Sequence, residues 1–406
     1  MNRTIAVVLA ALIAVLAAIG LLTGGNDSDE DDPPPAAEPS IAAIARRVER
    51  VRQLEFERLP RVRVVTGEQA RADGLRTIDR EIPPGEVAAL ERLLKMLGLL
   101  PADAGLRELL GRALSEQVAG YYSPETGTLS IVGESGGLDR EVTLAHELTH
   151  ALEDQHFGID SGRSTGFRSE RATADGALRE GTATVAMVDY VVLKQAGVAD
   201  VPARLRGRAL NELDDLALPA SSGLPRYVRE GLVFPYVAGA QLVNRIEGRG
   251  GWEAVNRAFG EDAPTSSEQI MHPRKYDARE RPVRVRVPGL SGALPAGARL
   301  VEEGDFGEFD TEQLLREANG RARSGPAAAG WGGGAFALWR LPGAGHALAL
   351  RWAWDSERDA REFERAAART ARALEGAVER RGSATALALA PSAGAARALA
   401  EAALAD

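Results

Sequence analysis

Apolar residues recur every three or four positions from Ile41 to Glu57 (Ile41, Ile44, Val48, Val51, Leu54), which predicts an amphipathic helix. Arg61 to Thr66 alternates polar and apolar positions and reads as a strand. After the break at Pro83-Pro84, helical spacing returns over Gly85 to Leu99 and Gly105 to Ala119. Gly120 to Gly133 has the pattern of a hairpin, with Pro early and Gly late in the turn Ser123-Pro124-Glu125-Thr126-Gly127. A helix is expected from Leu138 to Phe157, ended by Gly158, with Val142, Leu144 or Ala145, Leu148 and Leu152 on one side. A long helix follows from Ser169 to Gly197. Pro235 to Ile246 and Trp252 to Phe259 read as two helices parted by Gly248 to Gly251. Thr265, with Glu268 three residues on, predicts the start of a short helix that ends at His272-Pro273.

Beyond Asp277 the pattern changes. Val283 to Val287 alternates like a strand, and a helix (Thr311 to Ala318), strands (Ala335 to Arg340, Ala347 to Trp354), a helix (Glu357 to Arg380), a strand (Thr385 to Ala390) and a helix (Ala393 to Leu404) follow. That order suggests a small two-layer α+β domain with helices on one face of an antiparallel sheet. Trp352 and Trp354 share a strand face and are read as core.

The N-terminus stands apart. Thr4 to Thr23 is an uncharged apolar stretch with Arg3 before it and Asp27, Asp29, Glu30, Asp31 and Asp32 after it. About 20 such residues suffice to span a bilayer, and the flanking charges direct the remainder outward. A single-pass signal anchor over residues 1–24 is expected, with a cleaved signal peptide and secretion as the alternative. Residues 25–40 form an acidic, Pro-rich linker. Residues 41–290 and 291–406 are expected to be two folded domains.

Composition narrows the chemistry. The 406 residues are 45% hydrophobic, ample for a core, and the net charge of −9 argues against nucleic acid as a partner. Cysteine is absent, which excludes disulfides, thiolate metal sites and a Cys nucleophile.

Only five histidines occur, and two of them bracket a glutamate in His146-Glu147-Leu148-Thr149-His150. On a helix this spacing puts both imidazoles on one face, one turn apart, where they can bind one Zn²⁺, with Glu147 positioned as general base. A hydrolytic zinc site needs a third protein ligand, here His, Asp or Glu. His156 would serve if the helix broke at residue 153, but that residue is Glu153 rather than Gly. Glu180 is the better candidate. It lies in a helix among Gly176, Ala177, Gly181, Ala183 and Thr184, small residues that let another backbone approach closely. The competing reading is a solvated glutamate on an amphipathic helix.

The spans His146 to Gln155 and Ala177 to Ala183 resemble those of the gluzincin class of zinc metallopeptidases, the thermolysin-like group and its bacterial membrane-linked relatives. The likeness covers Gly120 to Tyr276 and departs at Thr184, where thermolysin has Asp. It implies a mainly helical zincin-like domain with a small edge-strand sheet, and so an α+β chain. It also implies that the strand before the motif helix binds a peptide substrate by backbone pairing, with Tyr121 and Tyr122 lining the cleft. Asp154, one turn past His150, would orient an imidazole. His272, or failing it Tyr276, would stabilise the oxyanion. Tyr236 reads as a helix-packing residue, and His346 as surface.

The function expected is that of a membrane-anchored, extracytoplasmic zinc peptidase. The alternatives are a peptidase fold without activity that binds peptides or envelope proteins, and a structural zinc protein.

Overall fold

The computed structural model describes residues 40–116, 120–133, 138–158, 169–215, 223–290, 292–343 and 345–405. The apolar stretch and acidic linker, and the anchor read from them, lie outside the described residues. Among the described residues no helix is long and apolar enough to cross a membrane.

The chain is α+β. Its first part runs α1 (Ile41–Arg52), β1 (Arg61–Val65), α2 (Gly67–Glu81), α3 (Pro84–Met96), α4 (Leu106–Glu116), β2 (Gly120–Ser123), β3 (Thr128–Val132), α5 (Leu138–Phe157), α6 (Glu170–Ala196), α7 (Ala203–Asp215), α8 (Arg226–Ala258), α9 (Ser267–Met271) and α10 (Pro273–Asp277). The expected hairpin is β2–β3, paired antiparallel from Gly120↔Ile131 to Ser123↔Thr128. β1 pairs parallel to the other side of β3, so the sheet order β1-β3-β2 leaves β2 at an edge. α5 buries the anticipated stripe of Val142, Leu144, Ala145, Leu148 and Leu152 against Ile44 and Val48 of α1, Leu129 and Ile131 of β3, and Tyr190 and Val191 of α6. The opposite face carries the motif.

Several boundaries differ from expectation for local reasons. α1 stops at Arg52 because Gln53 takes a left-handed conformation (φ 54°). α2 is a helix beyond those expected, and it has a full capping box: Thr66 Oγ1 accepts from the Gln69 N–H, and Gln69 Oε1 from the Thr66 N–H. α8 begins at Arg226, so Pro235 lies inside it, and the glycine break is a kink at Gly250 and Gly251. α9 is capped by Ser266 rather than Thr265; Gln269, not Glu268, reaches back to the Thr265 N–H.

The second part comprises β4 (Arg299–Asp305), α11 (Glu308–Asn319), α12 (Arg321–Ala328), β5 (Trp331–Arg340), β6 (His346–Trp354), α13 (Glu357–Ala373), β7 (Ala377–Arg381), β8 (Ala384–Leu389) and α14 (Ala393–Ala403). Val283 to Val287 is not a strand; only Val283 donates to the sheet, at the Gly332 carbonyl. The helix expected to reach Arg380 ends at Ala373. Glu375 turns left-handed, and a Cβ on Gly376 would lie 2.6 Å from the Ala388 carbonyl oxygen, so the chain re-enters the sheet as β7.

The sheet order is β4-β5-β6-β8-β7, antiparallel throughout. Alternation along β5 and β6 sends Phe336, Leu338, Leu350 and Trp352 to one face, against Leu314 and Phe363. Ala337, Trp339 and Ala349 go to the other, against Leu399 and Ala403 of α14. Both faces are thus covered, giving three layers where two were expected. Trp331, Trp352 and Trp354 are buried, each indole N–H bonded, to the Phe306 carbonyl, Thr311 Oγ1 and Thr385 Oγ1 respectively.

Leu90, Leu93 and Leu94 of α3 and Leu106 and Leu109 of α4 belong to the same apolar cluster as Phe306, Trp331 and Trp352. The division at residue 290 therefore separates stretches of chain that share one core.

Candidate active site

α5 presents His146, Glu147 and His150 on the face opposite its apolar stripe, and α6 passes beside it with Glu180. His146 Nε2 lies 3.2 Å from Glu180 Oε2 and 3.2 Å from His150 Nε2, and His150 Nε2 lies 3.5 Å from the same carboxylate oxygen. Ligand atoms about 2.0–2.1 Å from one tetrahedral zinc ion stand about 3.3–3.4 Å apart. The triangle of 3.2, 3.2 and 3.5 Å matches that spacing, so these three side chains could hold one such ion. Glu180 is no solvated surface glutamate.

Electrostatics bind the three together. Burial disfavours charge on the Glu180 carboxyl, but the His150 charge and hydrogen bonds from both histidines outweigh it and hold its pKa well below the usual range. Burial likewise opposes the His150 imidazolium; the Glu180 charge and hydrogen bond overcome that and push its pKa up to about 9.

Glu147 is buried beside the two histidines, and burial raises its pKa. The backbone N–H of Tyr122 in β2 acts against that rise. A Cβ on Gly120 would lie 3.0 Å from Thr143 Cγ2, 3.1 Å from the Ser130 carbonyl oxygen and 3.4 Å from Glu147 Cγ. Glycine there lets β2, an edge strand among the described residues, run directly past the general-base candidate.

The tyrosine side chains turn elsewhere. The Tyr122 hydroxyl donates to Asp154 Oδ2 at 2.9 Å, and that of Tyr121 donates to Asp73 beside Arg63. Thus Tyr122 meets the site through its backbone, and Asp154 holds the tyrosine that does so. Thr184, where the resemblance departs, is buried, and its hydroxyl has no partner among the described residues.

The two oxyanion candidates do not join this cluster. His272 Nε2 lies 2.8 Å from Glu308 Oε1, and the Tyr276 hydroxyl donates to the Asp262 carbonyl at 2.8 Å. The cause is the seat of α9. Ser267 donates both N–H and hydroxyl to Glu170 Oε2, each at 2.7 Å, and Glu170 is ten residues, about 15 Å, along α6 from Glu180. His156 is also remote, with Nε2 2.8 Å from the Glu55 carbonyl oxygen.

Tyr236, read as packing, occupies the place instead. Its ring stacks on His146 with centroids 5.8 Å apart and planes 24° apart, and its hydroxyl feels the charge of the Glu180 carboxylate. The Glu180 charge, then burial, then the Glu147 charge raise its pKa well above the ordinary tyrosine value, so it stays a neutral donor. Its side chain is 44% exposed to solvent.

Beneath His150 lies a second feature the sequence concealed. Arg52 and Glu153 are both fully buried and paired at 3.0 Å (Nε to Oε1), with the guanidinium 4.4 Å over the Trp252 ring and Nη2 3.1 Å from Asn256 Oδ1. Position 153, where the discounted reading wanted glycine, is thus a structural carboxylate tying α5 to α1 and α8.

Residues 298–401 match the family model of a domain of unknown function, DUF8575. No curated protein and no solved structure matches the chain. The candidate site lies outside the matched residues.

Proposed function

We propose that this chain is a zinc-dependent peptidase of the gluzincin type, held at the outer face of the cell membrane by its N-terminal apolar stretch. The observation that supports this most is the convergence of His146, His150 and Glu180 at zinc-ligand spacing, with Glu147 between the two histidines in sequence and β2, an edge strand among the described residues, alongside. The two histidines and Glu180 would hold the ion. When bound, zinc supplies a Lewis acid that polarises a peptide carbonyl and eases deprotonation of water.

The remaining work falls to the protein. The outer edge of β2 pairs with an extended peptide and lays its scissile bond across the site. Glu147, buried and with its proton affinity raised, accepts a proton from the attacking water and passes it to the leaving amine. Tyr236, neutral and partly exposed to solvent, donates a hydrogen bond to the oxygen on which negative charge develops. In this reading Tyr236 takes the role first assigned to His272 or Tyr276.

Glu147→Gln separates chemistry from metal binding. The variant should keep its zinc and its fold yet lose cleavage of an unstructured protein such as casein. Undiminished cleavage by Glu147→Gln would remove the mechanism.

A further inference from the structure

Away from the metal site, a groove of about 830 Å³ opens between α7, the second half of α8, the segment from Met271 to Lys275, and Ala329-Gly330 of the C-terminal part. Arg204, Arg208, Arg245, Arg274, Lys275 and His272 line it, and among the described residues no Asp or Glu does. This is notable in a chain of net charge −9.

Carboxylates behind the walls neutralise some of these cations. Asp277 pairs with Arg245; Glu268, Glu280 and Asp355 surround Lys275; Glu308 meets His272. Arg204, Arg208 and Arg274 are exposed and have no ion pair among the described residues. Arg204 and Arg208 are one turn apart on α7 and so share one face of the helix. Their outward direction is fixed by Arg206 between them. That residue is buried on the opposite face, paired with Asp189 at 2.8 Å and Glu247 at 2.9 Å and bonded to the Val201 carbonyl. Arg274 lines the groove from α10, and the amides of Asn211 and Gln241 add neutral donors.

We infer that this groove is a binding site for a compact ligand carrying two or more phosphoryl groups. One end is bound by the fork of Arg204 and Arg208, and the other by Arg274. Guanidinium groups match phosphoryl oxygens two at a time, and the volume suits a ligand of nucleotide size. The inference goes beyond the peptidase reading and does not rest on it.

Titration calorimetry of the full chain with sodium tripolyphosphate tests it. Saturable one-site binding is expected, at least tenfold weaker in Arg204→Gln/Arg208→Gln and in Arg274→Gln. It should be unchanged in Arg284→Gln/Arg286→Gln, an exposed arginine pair outside the groove. Citrate should displace tripolyphosphate at least tenfold less well than pyrophosphate does. Absence of saturable binding, undiminished binding by both groove variants, or equal displacement by citrate would overturn the assignment.

Discussion

Gly181 of α6 packs directly on Gly239 of α8: a Cβ on Gly181 would lie 2.2 Å from the Gly239 carbonyl carbon, and one on Gly239 would lie 2.0 Å from the Ala177 carbonyl oxygen. No real side chain fits at such distances, so the two backbones touch. The contact sits one residue from Glu180 and one turn from Tyr236, and it brings the tyrosine on α8 to the carboxylate on α6.

Gly181→Ala should therefore split the properties of the site. Alanine favours a helix interior by about 1 kcal/mol over glycine, but forcing α6 and α8 apart costs roughly 1–3 kcal/mol, so a net loss of stability is expected in thermal melts. The three proposed ligands sit on α5 and α6, so zinc content should be unchanged. Tyr236 moves with α8, so turnover should fall with zinc content intact. Unchanged turnover would show that the contact serves packing alone.

Tyr236→Phe keeps the ring on His146 and removes only the hydroxyl. Loss of an oxyanion donor lowers kcat by about 10²–10³-fold, with KM and zinc content little altered. His272→Ala, which breaks an ion pair with Glu308, should leave kcat within a few-fold. A large kcat effect at His272 and none at Tyr236 would reverse the assignment.

The buried pair of Arg52 and Glu153 is expected to matter to stability more than to chemistry. Removing one partner leaves an uncompensated charge, at a cost of about 3–5 kcal/mol. Arg52→Leu should unfold at markedly lower urea concentration, and Arg52→Leu/Glu153→Leu should recover most of the loss. A double variant no better than the single one would mean that the hydrogen bond to Asn256 and the contact with Trp252 carry the energy instead.

Stability should also depend on pH through Glu170. Burial pushes its carboxyl up to about 8 from 4.5, the Ser267 hydrogen bonds opposing this and the charges of Asp310 and Asp305 adding to it. A carboxyl with a raised folded-state pKa binds its proton more tightly in the folded state. Its contribution is thus fully present below pH 4.5 and is lost as pH rises through about 8. Glu170→Gln should flatten the fall in stability between pH 5 and pH 8 in denaturant titrations. An identical slope in the variant would mean that Glu170 is ionised throughout.

Much of the candidate cluster was legible because its signal is local. His146, Glu147 and His150 lie within five residues, and the small residues around Glu180 announce a close approach. The approaching partner was not legible. Gly181 meets α8, some sixty residues later, and no periodicity links the two. Tyr236 was hidden for the same reason, since one tyrosine beside a proline carries no motif. Arg52 and Glu153 are charged residues with no motif in the sequence, and three helices close over them. In the second part, β5 and β6 alternate clearly. The third layer was missed because Ala337, Ala349 and Ala388 bury against an alanine-rich helix, and alanine marks neither a buried nor an exposed position.

The most direct test of the central claim is the zinc content of the purified full chain, measured by plasma mass spectrometry beside that of Glu180→Ala. One zinc per chain is predicted for the unaltered protein, and a loss to well below stoichiometric zinc in the variant under the same dialysis. Equal zinc in the two proteins, or none in the unaltered chain after exposure to zinc, would contradict a site built from His146, His150 and Glu180.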